Sequence, residues 1–403
     1  MKKVQILLAL IFSTSLVAQE YTHFTEAEGL INNSVNCLTI DQYQNIWFGT
    51  NNGVSMFDGD TWSGFSTELN PELVSNSITA IFASTNGTVW FGTDFGINRL
   101  DGASWDIYTE EDGLGDNRIS SITEDSNGNI WIGEKNGISK FDGAEWTSYG
   151  MDDGLPFGGV NEISFDSNND LWLANSIFGM IHFDGTDFTT YNTNAGLVSN
   201  SVRTIEIDEE DNKWVGTAQG ITVLNANNNV VDHHTMMLLL PEPDTLNPVV
   251  DIAFDSQGNV WTGIYVDYLV TVGGVAAWNG DSWTGFTDDE ELVGPVVRAL
   301  AVDVNDAIWV ATSSGVTKIS EPVLSIPQLF THSEMSVYPN PATTTLTFDF
   351  DTPEEITLTN SLGQRVLTKK MNVGLNVLDI SSLATGLYFI KSKNSSFKKV
   401  LIK

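Results

Sequence analysis

Tryptophan returns at positions 47, 90, 131, 172, 214, 261 and 309, at intervals of 43, 41, 41, 42, 47 and 48 residues. Six positions before each stands a turn-forming residue: Asp41, Ser84, Asp125, Asp166, Asp208, Asp255 and Asp303. A period of this size, held over seven copies, restricts the chain to architectures made of one repeated supersecondary unit. Such a unit cannot bury its apolar face alone and needs neighbours of its own kind.

Each unit reads as four strands. The first is rich in β-branched residues, as in Val202, Ile205 and Ile207. A turn such as Asp125-Ser-Asn-Gly128 leads into the second, Ile130 to Gly133, where a small residue recurs two positions after Trp: Gly49, Gly92, Gly133, Ala174, Gly216, Gly263 and Ala311. Close packing between neighbouring units requires small side chains there. The third strand opens on Gly137, and Asp142-Gly143 then supplies a tight hairpin because it tolerates positive φ. Trp146 and Tyr149 mark the fourth. The seventh unit stops near Ser320 after three strands, whereas Tyr21 to Phe24 carries the aromatic spacing of a fourth strand. The expected fold is therefore all-β: a seven-bladed β-propeller closed by the N-terminal strand, since closure hides the surface that an open array exposes.

Lys2 and Lys3, the apolar run Val4 to Leu16 and the small residues before Gln19 read as a secretory signal peptide over residues 1–18, cleaved after Ala18. The apolar run is too short to span a bilayer, and no other stretch reaches about 20 residues, so no membrane span is expected. Cys37 has no second cysteine to pair with, so the core holds the fold without an internal disulfide. Charge divides the chain. Residues 19–334 carry 47 Asp plus Glu against 8 Lys plus Arg, whereas residues 335–403 carry 5 against 8. Two domains follow, and the acidic one is repelled by nucleic acid and by anionic membranes, which excludes both as expected partners.

The units, written Gly-Leu, Asn-Ser-Val, Asp-x-x-Gly-Asn-Ile-Trp-Ile-Gly and Gly-Ile-Ser-x-Phe-Asp-Gly, resemble the two-component regulator propeller repeat, best over residues 113–143 and 196–221. That resemblance implies an extracytoplasmic ligand-detecting scaffold, here without a kinase segment.

Residues 336–403 resemble the type A C-terminal sorting domain of the type IX secretion system of Bacteroidetes-type bacteria. The resemblance lies in Val337-Tyr338-Pro339-Asn340-Pro341, Asn360 to Val366 with Gly363, Ile380 to Ile390 with Gly386 and Tyr388, and the terminal Lys398 to Lys403. It implies a small immunoglobulin-like β-sandwich recognised by the export machinery and its sorting peptidase, and a protein secreted or held at the outer-membrane surface by way of the periplasm. Alternating segments such as Thr345 to Phe350 independently read as half-buried strands. Residues 321–335, with Pro322 and Pro327, read as a linker, which leaves residues 19–320 as the propeller.

A propeller gathers the connections between strands two and three, and between strand four and the next unit, on one face. Two of these are long: Trp261 to Gly274, and residues 226–248. Both are expected as loops that converge, placing Tyr265, Asp267 and Tyr268 near Met236 to Pro243 as a binding lobe for an extracellular ligand. Phe95, Arg118, Glu134, Lys135, Phe178 and Gln219 occupy positions on that face where the units differ. The repeated Asp resembles the opening of a calcium loop at 125–129, but no Glu stands at loop position 12, and Asp initiates turns through its own side chain.

No zinc pattern accompanies His233 and His234, which as strand neighbours point to opposite faces. Cys37 is expected to pack as a small apolar residue. The expectation is a non-catalytic binding module for a glycan, peptide or protein, with no catalytic or metal-ligating residues and no cofactor. A structural or adhesive exoprotein and a metal-dependent propeller lyase are the alternatives.

Overall fold

In the computed structural model the described residues are 20–238, 247–267, 271–287, 291–320, 336–350, 354–360, 365–381, 383–392 and 398–403. The signal peptide, the linker at 321–335, Tyr268, Gly363 and residues 239–243 of the expected lobe lie outside them. The chain divides into two compact units, residues 1–324 and 325–403.

Alternating apolar residues in the first unit build seven four-stranded antiparallel sheets. The first strands are Val35–Ile40, Ile78–Ala83, Ile119–Glu124, Val160–Phe165, Val202–Ile207, Val249–Phe254 and Val297–Val302. Each packs beside the first strand of the following sheet, and Val297–Val302 packs beside Val35–Ile40. In the seventh sheet the fourth position is held by Glu20–Phe24, antiparallel to Gly315–Ser320, with Thr22 opposite Lys318.

The side chain at the Trp position fills the space between sheets. Trp90 packs with Leu114, Ile119, Ile122 and Ile132 of the third sheet, and Trp172 with Leu197, Val202 and Ile205 of the fifth. Each such ring contributes on the order of 3–5 kcal/mol by the cost of its truncation. Small residues opposite make this approach possible: a Cβ on Gly92 would lie 2.5 Å from Ile119 Cγ2, and one on Gly216 2.7 Å from Val249 Cγ1. Cys37 sits in the same layer, its Sγ 2.5 Å from where a Gly49 Cβ would be.

The six-residue interval between Asp and Trp has a direct cause. Asp125 Oδ1 accepts the backbone N–H groups of Asn127 and Asn129 at 2.9 and 3.0 Å, and Oδ2 accepts Asn129 Nδ2 at 2.8 Å and the indole N–H of Trp131 at 3.0 Å. Burial alone would raise this carboxyl. The bonds from Asn129 and Trp131 outweigh it and hold Asp125 below the usual range. The same indole bond runs from Trp47, Trp172, Trp214, Trp261 and Trp309 to Asp41, Asp166, Asp208, Asp255 and Asp303 at 3.0–3.1 Å. Where Ser84 replaces Asp, Trp90 donates to Thr88 Oγ1 at 3.1 Å instead.

The second unit has a three-stranded sheet of Ser336–Tyr338, Thr345–Phe350 and Gly374–Asp379, and a four-stranded sheet of Arg365–Met371, Glu354–Asn360, Gly386–Ser392 and Lys398–Ile402. Leu346, Phe348, Ile356, Leu358, Ile390 and Val400 are buried in one core shared by both sheets. The Tyr338–Pro339 and Asn340–Pro341 peptides are cis. Asn340 Oδ1 accepts Leu401 N at 2.9 Å, and Tyr388 Oη donates to Ala384 O at 2.9 Å.

Candidate functional site

In every propeller sheet the connection from strand two to three and that from strand four to the next sheet emerge at the same end. Two side-chain locks recur there. Thr50, Thr93, Thr217 and Thr312 donate Oγ1 to the carbonyl three residues on, at 2.7–2.9 Å. Asn33, Asn76, Asn117 and Asn200 accept, on Oδ1, a backbone N–H from the start of their own connection at 2.7–2.9 Å.

Sheet three departs from the first and sheet four from both. Glu134 takes the Thr position in sheet three. Its side chain is wholly buried, so it does not stand on the open face as its loop position suggested. Oε1 accepts Ser139 Oγ at 2.6 Å and Gly115 N at 3.3 Å, while Oε2 is buried without a hydrogen-bond partner. Burial pushes this carboxyl up to about 7.

In sheet four Asn175 replaces Thr and Gly158 replaces the locking Asn. Asn175 Oδ1 accepts Ile177 N and Phe178 N at 2.9 and 2.8 Å, and its Nδ2 donates to Gly159 O at 3.1 Å. Gly158 and Gly159 adopt φ of 120° and 75°, which strains any other residue. The result presents Phe157 against Phe178, ring centroids 5.0 Å apart and nearly perpendicular, beside Ile177. Phe157 and Ile177 are 55% and 48% exposed, an apolar surface left in water.

The cations of this face adjoin that pair. Lys135 N donates to Arg118 O at 3.2 Å, and a Cβ on Gly159 would lie 3.3 Å from Lys135 O. Lys135 itself is exposed. Arg118 grips buried Asp116 through Nε at 2.8 Å and Nη2 at 2.5 Å, and Asn136 Nδ2 donates to the same carboxylate at 2.6 Å. The Arg118 bond holds the Asp116 carboxyl below its usual range. Phe95, 64% exposed, lies on the preceding turn, where Gly96 N donates to Asn117 O at 2.8 Å. Phe95, Arg118, Lys135 and Phe178 therefore form an arc over sheets two to four.

Tyr265 and Asp267 do not join it; they lie on sheet six, and Gln219 lies on the turn between strands two and three of the intervening sheet five. Nor do they belong to a loop. Val260–Asp267 and Thr271–Trp278 form one extended hairpin in which Tyr265 pairs Gly273 and Asp267 pairs Thr271. Gly273 and Gly274 are ladder residues whose missing side chains let Pro295 O and Phe286 O approach within 2.3 and 2.2 Å of a Cβ position. The segment before sheet six is also tied down: buried Asn247 accepts Met237 N and Leu238 N at 2.7 and 2.6 Å.

His234 stacks on Trp214 at 5.6 Å, while its neighbour His233 is exposed. Among the described residues no three His, Cys, Asp or Glu gather as a metal site. No helix among them is long and apolar enough to cross a membrane.

Phe157, Ile177, Asn175 and Asp116 were not singled out from the sequence. The broken lock, Gly158 where five units have Asn, is the signal that could have found them.

Seven four-stranded sheets set side by side by their first strands, with a loop face at one end, define a β-propeller, and a sorting domain follows it. Residues 29–52, 72–95 and 113–136 match the two component regulator propeller repeat, and residues 336–403 match the secretion system C-terminal sorting domain of the type IX system. No curated protein matches the chain in sequence.

Among solved structures, the extracellular domain of BT3049 from B. thetaiotaomicron, named as a hybrid two component system, is 17% identical with a TM-score of 0.63. The match covers 95% of this chain and 57% of that one, so the chain spans little more than half that domain's length. PorZ, a surface component of the type-IX secretion system of Porphyromonas gingivalis, is 16% identical over 94% of this chain and 60% of its own, with a TM-score of 0.57. Catalytically inactive virginiamycin B lyase from Staphylococcus aureus with quinupristin is 15% identical over 75% of this chain and 99% of its own, with a TM-score of 0.61. At these identities the likeness shows the fold alone. The sorting domain supports a secreted or cell-surface protein.

Proposed function

We propose that the chain is a non-catalytic, exported binding module whose propeller presents a ligand site on the arc from Phe95 to Phe178. The observation that carries this reading is the Phe157–Phe178 pair, held in water by Asn175 and two left-handed glycines where neighbouring units keep a polar lock. Rigid aromatic surface beside an exposed Lys135 supplies contact area at low entropic cost to a glycan, peptide or protein. Tyr265 and Asp267 form a second, separate contact region on sheet six.

In this reading residues 1–18 are removed on export through the periplasm, and residues 19–320 form a ring closed where Glu20–Phe24 completes the last sheet. Residues 321–335 link it to an immunoglobulin-like sandwich at 336–403, which engages the type IX machinery and its sorting peptidase. The pairing of Glu20–Phe24 with Gly315–Ser320 supports the closure. The shared core of the two C-terminal sheets supports the sandwich. Within the sorting motif, Pro339 and Pro341 follow cis peptides, and Asn340 fastens the motif to the terminal strand through Leu401.

The test is binding of the secreted chain to glycan and peptide arrays, repeated with Phe157→Ala/Phe178→Ala. The reading predicts a ligand whose binding falls at least tenfold in the variant while thermal stability holds. Undiminished binding by the variant contradicts the arc as the site. Turnover of a captured ligand contradicts the non-catalytic assignment and favours the lyase alternative.

A further inference from the structure

The turns that join strands one and two lie at the end of the propeller opposite the loop face, and neighbouring turns are fastened to one another there. The side chain at the fourth position of a turn accepts the backbone N–H at the second position of the turn before it. Asn169 Oδ1 accepts Ser126 N at 2.8 Å, Asp211 Oδ1 accepts Ser167 N at 2.9 Å, and Asp306 Oδ1 accepts Ser256 N at 2.9 Å. Three turns carry glycine at the fourth position and have no side chain to offer. At Gly87 the space is taken by Gln42, whose Nε2 lies 2.8 Å from where a Cβ would be. Beside Gly128 the link passes to Glu124, which accepts Thr85 N at 2.8 Å and Ser84 Oγ at 2.9 Å. Around Gly258, among the described residues, nothing lies within 4 Å of a Cβ position.

The turns of sheets five and six enclose a cavity of about 490 Å³ at this place, within the range of small-molecule sites. Half-buried Trp214 and Phe254 line it together with Asp208, Glu209, Glu210 and Asp255.

The same corner, one sheet earlier, shows what fills it. Lys213, with 1% of its side chain exposed, places its Nζ between sheets four and five. It stands 5.1 Å from the centroid of the Trp172 ring, 3.8 Å from Asp166 Oδ2 and 3.4 Å from Asp211 Oδ2, and donates to Asp211 O at 3.0 Å. Sheet seven repeats the pairing from its own third strand: Lys318 Nζ lies 5.0 Å from the Trp309 ring and 3.6 Å from Asp303 Oδ2. An ammonium gains from the ring face and from the carboxylate at once. In sheet six Val260 stands where sheet five has Lys213, and Gly258 where it has Asp211. The Trp–Asp wall itself is kept, since Trp214 Nε1 donates to Asp208 Oδ2 at 3.0 Å as Trp172 does to Asp166. Two replacements have therefore removed the resident ammonium and left its surroundings in place.

We propose that the cavity between the turns of sheets five and six binds a primary alkylammonium group, the end of a lysine side chain or of a free amine, in the place that Lys213 Nζ takes one sheet earlier. The apolar floor of Phe254 and Val260 accepts the alkyl chain, and Glu209 and Glu210 at the exposed rim add charge of the required sign. The surrounding field has the same sign, with 47 Asp plus Glu against 8 Lys plus Arg in residues 19–334. This site is separate from the loop-face arc.

The experiment is calorimetric titration of the mature secreted chain with N-acetyl-lysine amide, pentane-1,5-diamine, calcium chloride and N-acetyl-norleucine amide, which has the lysine side chain without its ammonium. At least one of the two amines is expected to bind at least tenfold more tightly than the norleucine amide, and more weakly as salt is raised. A preference for the lysine amide marks a peptide as the source, and a preference for the diamine a free amine. Glu209→Gln/Glu210→Gln, at the surface, is expected to weaken amine binding at least fivefold, whereas Glu145→Gln, on a hairpin of sheet three, leaves it unchanged. Val260→Lys supplies the missing ammonium from the chain itself and is expected to abolish amine binding. Equal binding of the norleucine amide, binding of calcium without either amine, or undiminished amine binding by the Glu209/Glu210 variant overturns the proposal. Loss of array binding in the Phe157/Phe178 variant bears only on the loop face, so the two readings fail separately.

Discussion

The indole N–H of Trp131 donates to the carboxylate of Asp125, six residues earlier, at 3.0 Å. The bond ties the turn that starts each unit to the ring that fills the space beside the next. Asp125→Ala removes four hydrogen bonds at once and leaves buried donors without partners. It is expected to destabilise by about 2–4 kcal/mol in urea titration. Thr88→Val breaks only the single substitute bond to Trp90 and is expected to cost about 1 kcal/mol. An equal cost for the two would mean that the turn does not depend on its carboxylate.

Glu134 gives stability a pH dependence of unusual sign. Its carboxyl is raised to about 7 in the fold, chiefly by burial, against an ordinary value near 4.3 in the unfolded chain. The native state therefore holds the proton more tightly. The contribution is fully present below about pH 4.3 and is lost as pH rises through about 7, up to roughly 3 kcal/mol in all. Glu134→Gln keeps the group neutral and is expected to stabilise at pH 8 while changing little at pH 4. Denaturation midpoints at the two pH values check this, and a variant that loses stability at pH 8 contradicts it.

Cys37 lines the channel among Leu38, Ala80 and Ile81, and burial pushes its thiol up to about 12. Only the thiolate reacts, so a disulfide reagent at pH 8 is expected to leave the native protein unlabelled over hours and to modify one thiol per chain in denaturant. Labelling of the native protein at the rate of a free thiol would place Cys37 outside the wall.

The repeat made the sheets legible, because Trp, the small residue after it and the Asp before it each serve contacts that every unit repeats. The Asp was read as a turn initiator, which it is. Its bond to Trp stayed hidden because both side chains must fold back onto one line. The hairpin of sheet six reads as a loop because Gly274, in the place of the glycine that opens a third strand, stands 13 residues after Trp261 where most units have six. The role of Gly273 and Gly274 is to admit neighbouring carbonyls, which only the packed sheets reveal. Glu134 looked like a surface residue, but its position in the ladder points inward, as it does for Thr50 and Thr93.

The account rests on Glu20–Phe24 completing the seventh sheet. Hydrogen–deuterium exchange of the mature secreted chain tests this most directly. The amides of residues 20–24 are expected to exchange as slowly as those of Gly315–Ser320, with which they share a ladder. Exchange within seconds at residues 20–24, beside protected residues 315–320, would contradict the closure and the ring on which the proposed loop-face site depends.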